Sequence, residues 1–175
     1  MLAAVLATSF VADAWGDPRP GAFARAAVGA IMFGLVWKLW QLPGRHSVPA
    51  YVLWSSGWLV GLGLIATAVA TAAAPGLTFA AMHLTFLGGF GALTMGISSR
   101  VVATHGGHGP AGEDRILTPL RAALLASALA LRLGAEADPG HRAAWLAASA
   151  LAWLAAWTGW LWAASRLSAG RRPST

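Results

Sequence analysis

Apolar residues run along this chain in long blocks separated by short polar joints. The blocks are Ala22–Trp37, Val48–Ala74, Leu77–Ser99, Leu120–Leu131 and Ala143–Ser165. Each is nearly free of charge, and none alternates with the period of two that a half-buried strand needs. A bilayer span takes about 20 mostly apolar residues, and three of the blocks reach that length outright. Ala22–Trp37 reaches it if Arg25 and Lys38 extend their charged ends to the two interfaces. Leu120–Leu131 reaches it by extension to Arg115 and Glu136, which places Arg121 and Arg132 near the two surfaces. The opening stretch "MLAAVLATSFVADAW" is a sixth, shorter apolar block. It ends in Ala12-Asp13-Ala14, an A-x-A-like cleavage site, but no positive residue precedes its apolar core as a signal peptide requires. A short first helix is therefore expected. The pattern predicts helices over residues 1–16, 20–42, 48–74, 77–103, 115–135 and 141–167. Together they form an all-α, polytopic transmembrane bundle of five to six spans, a single domain over 1–175.

Composition agrees. The chain is 57% hydrophobic and only 10% charged, with a mean hydropathy of +0.62, whereas a soluble domain carries about 25% charged residues. With no cysteine, disulfides, thiolate metal sites, cysteine-ligated iron–sulfur clusters and c-type haem attachment are excluded. The net charge of +6 does not point to nucleic acid, because the basic residues sit at span ends. Lys38, Arg45, Arg100, Arg115, Arg121, Arg166, Arg171 and Arg172 fall on the side of the termini, and Arg19, Arg25, Arg132 and Arg142 on the other. By the positive-inside rule the C-terminus is cytoplasmic. His46, His105 and His108 then lie on the cytoplasmic side, and His83 and His141 towards the outer side. Trp15, Trp37, Trp40 and Trp54 read as interfacial belt residues, while Trp153, Trp157 and Trp160 share one face of the last helix.

No catalytic triad, paired-carboxylate site, phosphate loop or dinucleotide fingerprint is present. The carboxylates Asp13, Asp17, Glu113, Asp114, Glu136 and Asp138 all fall in loops or at span ends, so a proton-driven transporter lacks its usual mid-span relay. The unusual stretch is "MHLTFLGGFGALTMGISSRVVATHGGHG", Met82 to Gly109. A neutral imidazole such as His83 suits either an axial haem position or copper, though an interfacial histidine bonded to a carbonyl reads equally well. Gly88, Gly89, Gly91 and Gly96 thin one wall of the helix, either for close helix packing or to admit a flat macrocycle. At spacings of four, four, three and four, His83, Leu87, Gly91, Thr94 and Ser98 form one stripe, expected to face the bundle interior. Arg100 is either an interfacial anchor or a clamp for a carboxylate or phosphate. In "THGGHG", Gly106-Gly107 permits a turn that can bring His105 and His108 onto one metal ion, with His46 as a third ligand. His83 and His105 are 22 residues apart, about 33 Å along a straight helix, so they are expected to serve separate sites.

The same stretch resembles the signature of the NnrS family, in which a helix carries histidine, a glycine-rich centre, threonine and arginine, followed by a short histidine-containing turn. His83, Gly88, Gly91, Thr94, Arg100 and His105 occupy the matching positions. "LWSSGWLVGLGLIATAVA" and the helices after residue 117 resemble the neighbouring family helices, so that the likeness covers about 48–168. Thr104, Gly106 and His108 depart from the family turn, and Ser98-Ser99 stand where the family favours methionine and threonine. The likeness is to the C-terminal half of a longer protein, which makes a two-fold homodimer an expected partner arrangement. The resemblance implies a bacterial inner-membrane protein that binds b-type haem and copper and takes part in nitric oxide tolerance. On this reading His83 is a haem ligand with His141 as its candidate partner, and His105, His108 and His46 are the candidate copper site. Two rival readings are a cofactor-free subunit of a larger membrane complex and a small-solute or metal transporter.

Overall fold

The computed structural model describes residues 1–12 and 16–169, and every element among them is helical. Asp13 and Ala14 of the A-x-A-like site, the belt residue Trp15, and Arg171 and Arg172 lie outside the described residues. The helices are α1 (Leu2–Ala12), α2 (Arg19–Ile31), α3 (Val48–Ala73), α4 (Thr78–His83), α5 (Gly91–His105), α6 (Gly109–Ile116), α7 (Pro119–Ala137) and α8 (Arg142–Ala169). A π-helical turn over Met32–Val36 extends α2, and another over Leu84–Phe90 joins α4 to α5. Proline marks several helix starts: Pro119 opens α7, while Pro75 and Pro139 open the single 3₁₀ turns before α4 and α8. A proline at the first helical position gives up only an N–H that no intrahelical carbonyl would have used.

The all-helical class is as expected, while five to six spans are not confirmed. Among the described residues three helices are long and apolar enough to cross a membrane: Val48–Ala73, Pro75–His105 and Pro139–Ala169. A fourth is available if α6 and α7, bent by 48° at their junction, count as one span. The two N-terminal blocks fall short of five or six. The apolar helix α1 has 11 residues. The block predicted over 20–42 stops being helical at Val36, and Lys38 takes φ 46°, a left-handed conformation that ends a helix. The bend between α6 and α7 has an equally local cause. Leu117 leaves helical geometry (φ −109°, ψ 83°), and Pro119 disfavours helical geometry in the residue before it.

The described residues form two compact units. The first comprises Met1–Leu42 and Ser55–Phe90. Small residues let its helices approach closely. A methyl group on Gly29 would touch Leu64, one on Gly61 would meet the ring of Phe33, and one on Gly89 would come 2.5 Å from Cγ2 of Val60. Phe33 stands edge-on against Trp58, with ring centroids 4.1 Å apart.

The second unit comprises Pro43–Trp54 and Gly91–Thr175. Its core is Met95, Ala103, Ile116, Leu117, Leu125, Ala156, Trp160 and Ala164. Helices α7 and α8 form an antiparallel hairpin in which Ser149 Oγ donates to the Ala128 carbonyl at 2.7 Å. Trp160 Nε1 donates to Ser99 Oγ at 2.8 Å, and Ser99 Oγ in turn donates to the Met95 carbonyl. Trp153, Trp157 and Trp160 do share a face of α8, and successive ring centroids are 5.6 Å apart.

Candidate functional site

The glycines from Gly88 to Gly96 serve packing. Besides Gly89, a methyl on Gly96 would come 2.6 Å from Cδ2 of Leu53, and Gly88 and Gly91 are buried. The predicted stripe is inward only in part: Gly91 is buried, while His83, Leu87 and Ser98 are half-buried. Thr94 is exposed, whereas Ala92, Met95, Gly96, Ser99 and Ala103 are buried. Around α5 the observed face is therefore the expected one moved on by a single residue, about 100° of rotation. The buried positions Ala81, Thr85, Gly88, Ala92, Met95 and Ser99 keep spacings of three and four across the π-helical turn Leu84–Phe90, so the offset lies in the phase at which the stripe was drawn and not in a loss of register.

The five histidines take different roles. His83 closes α4 and is half-buried. Its Nδ1 faces the Phe79 carbonyl; because a carbonyl can only accept, the ring donates through Nδ1 and a neutral ring then carries its lone pair on Nε2. Exposed His105 does the same with the Val101 carbonyl at 2.9 Å. His108 is turned the other way. Its Nε2 donates to the Leu167 carbonyl at 3.2 Å, and its ring side packs against Gly106 and Gly112, where added methyl groups would lie 2.8 and 2.7 Å away. His46 pairs through Nδ1 with the Tyr51 hydroxyl at 2.7 Å. His141 is exposed and pairs through Nδ1 with Asp138 Oδ2 at 3.0 Å. His83 belongs to the first unit and the other four to the second.

The turn forms as the two glycines require. Gly107 has φ +69°, a left-handed value that glycine adopts without strain. It does not gather a three-histidine set: among the described residues no three His, Asp or Glu side chains stand close enough to hold a metal ion.

Arg100 does clamp a carboxylate, and the carboxylate is the chain's own. Its Nε lies 3.3 Å from Glu113 Oε1, while Arg45 Nη1 lies 3.5 Å from Glu113 Oε2. Arg45 Nη2 also pairs with Asp114 and donates to the Pro110 carbonyl at 2.9 Å. The Glu113 side chain is only 7% exposed. These bonds pin α6 to the end of α5 and to the segment before α3. Sequence reasoning placed Glu113 in a loop or at a span end; the spacing Arg100…Glu113 across a glycine turn was the available signal. At the opposite end of α7, Asp138 caps the junction with α8, accepting from Trp145 Nε1 at 3.1 Å. The indole donor, and then His141, hold its carboxyl below the usual aspartate range.

An all-helical chain with at least three bilayer-length apolar helices, histidines near its span ends and no soluble domain among its described residues is a multi-pass membrane protein. The sequence profile of the family described as NnrS protein matches residues 1–172. This chain belongs to the NnrS family, and the match extends well beyond the 48–168 expected from the motif, taking in α1 and α2. Membership makes it a membrane protein related to the nitric oxide response. No curated protein and no solved structure matches the chain.

Proposed function

We propose that this protein binds b-type haem and copper in the bacterial inner membrane and works in nitric oxide tolerance. The observation that carries the reading is family membership across residues 1–172. The donor chemistry of His83 supports it. Metal-bound histidines characteristically donate their second ring nitrogen to a carbonyl or carboxylate, which fixes the tautomer, and His83 already holds that arrangement with Phe79. A macrocycle does not fit the cavity beside Met82, whose volume is about 230 Å³; pockets for drug-sized ligands run from about 300 Å³. The residues that would hold it are His83 with Phe79 and Phe86, which lie three or four positions away along the helix and expose their rings. A haem held there would supply an iron able to bind nitric oxide.

His105 is the stronger of the cytoplasmic copper candidates, since its Val101 bond leaves the lone pair on the outward nitrogen. His108 spends its Nε2 proton on Leu167, so only its Nδ1 can ligate. His46 would have to give up Tyr51. The C-terminus is cytoplasmic on this reading, and a homodimer is the proposed assembly.

The test is elemental. Purified full-length protein from haem- and copper-replete cells is analysed for iron, copper and extractable haem. Iron and haem should fall together in His83→Ala with copper unchanged, and copper should fall in His105→Ala with haem unchanged. A preparation lacking both metals, or retaining both in each variant, contradicts the assignment.

A further inference from the structure

The first unit holds a partly open cavity of about 230 Å³ between its helices. Phe10 of α1, Arg25 of α2, Leu64 of α3 and Met82 of α4 line it, with Phe86 of the π-helical turn. The hydroxyls in the wall belong to Thr67, Thr71, Thr78 and Thr85. Thr67 and Thr71 donate to the carbonyls four residues back, Gly63 and Thr67. The Thr85 hydroxyl is packed against the Gly63 backbone and closed to water. That leaves Thr78, whereas a water held in an apolar cavity needs about two to four polar partners.

Arg25 does not make the cavity a polar one. Its Nη1 donates to the Ser9 carbonyl at 3.0 Å, and its guanidinium lies 4.6 Å from the centre of the Phe10 ring, so its charge is answered within the protein. The rest of the wall is aliphatic, thioether and aromatic surface. A cavity of that chemistry stays dry and takes apolar guests; one of about 150 Å³ lined by leucine, isoleucine and phenylalanine binds benzene or xenon. The volume here is larger than that but below the roughly 300 Å³ at which drug-sized pockets begin. What fits is a molecule of a few atoms with no charge and no hydrogen bond to satisfy.

We infer that this cavity holds a small uncharged gas taken up from the hydrocarbon of the bilayer. Nitric oxide belongs to that class, and it is the gas assigned here, a step that rests on the function proposed above. Met82 in the cavity wall directly precedes His83 in α4. Gas stored there is stored beside the helical turn that carries the proposed haem ligand.

Methionine methyl resonances of the full-length protein in detergent micelles test this, with xenon and nitric oxide as the probes. Met82 lines the cavity, Met95 is fully buried in the core of the second unit, and Met1 is exposed. As xenon pressure rises, the Met82 methyl should shift to a plateau, Met1 should drift in proportion to pressure, and Met95 should stay in place. Nitric oxide added without oxygen is paramagnetic and should broaden the Met82 methyl more than that of Met1; added xenon should sharpen it again. Thr71→Phe and Thr78→Phe fill the cavity and keep the reporter. Each should weaken xenon binding by about tenfold, with unchanged Met32 and Met95 resonances showing that the variant has folded. The readout needs no haem, so a preparation without a Soret band sinks the haem assignment and leaves this test decisive. A Met82 shift that stays linear in xenon pressure overturns the inference. So does unchanged xenon affinity in both folded variants, a Met82 methyl in contact with detergent chains in place of a xenon response, or a Met82 line that nitric oxide broadens no more than that of Met1.

Discussion

Single residues show where polar chemistry is needed inside this apolar protein. Ser99 and Trp160 are both buried, and Ser99 Oγ accepts the indole proton. Ser99→Ala leaves a buried N–H unsatisfied, a loss of about 1–3 kcal/mol that tryptophan-fluorescence unfolding in detergent would read. Glu113 carries more. Its carboxylate is nearly buried, but Arg45 and Arg100 are 37% and 54% exposed, so solvent screens the pairs and the loss in Glu113→Gln is discounted to about 1–2 kcal/mol. Haem content should not change in that variant. Asp138 adds a pH dependence. Its folded pKa is lowered, chiefly by the Trp145 indole. Its contribution is therefore fully present above the unfolded value near about 3.9 and is lost as pH falls through the lower, folded value. Asp138→Asn should flatten the acid limb of a stability–pH curve while leaving neutral pH little changed. Of these residues, Arg100 was legible only as either an interfacial anchor or a clamp for a carboxylate or phosphate. Glu113 was not legible, because its burial depends on how the chain turns at Gly106-Gly107 to bring it back to Arg100, thirteen residues earlier.

Helices were legible wherever hydropathy ran on without interruption. The long blocks from Val48, Leu77 and Ala143 appear as bilayer-length helices, and the Gly106-Gly107 turn ends α5 as its glycines imply. Register was not legible. Small and apolar residues stand on every side of this helix, so hydropathy did not fix the phase of the inward stripe: it was drawn one residue early, and Thr94 was placed inside when it is exposed. Helix α6 was not legible either, since its sequence GPAGEDRI carries three charges in eight residues and reads as the joint before the helix predicted over 115–135. Arg121 braces the bend between α6 and α7. Its Nη1 donates to the carbonyls of Arg115 at 3.0 Å and Ile116 at 2.6 Å, the last of α6. Arg121→Ala should leave those carbonyls without a partner and loosen α6 by about 1–3 kcal/mol. Hydrogen exchange over residues 109–117 should accelerate, with exchange in α8 unchanged.

At the scale of the whole molecule, family membership and the apolar helices converge on a membrane protein of the nitric oxide response. The bundle class could be read from composition alone, since 10% charged residues leave too little polar surface for a soluble fold. The span count could not, because the N-terminal blocks match longer helices in hydropathy but not in length. The central claim is that His83 carries haem. Its most direct test is the visible spectrum of purified full-length protein from haem-replete cells, recorded before and after addition of nitric oxide. The account predicts a Soret band that shifts on adding nitric oxide and is missing from His83→Ala. No Soret band in the parent protein, or an identical nitric-oxide-sensitive band in His83→Ala, would contradict it.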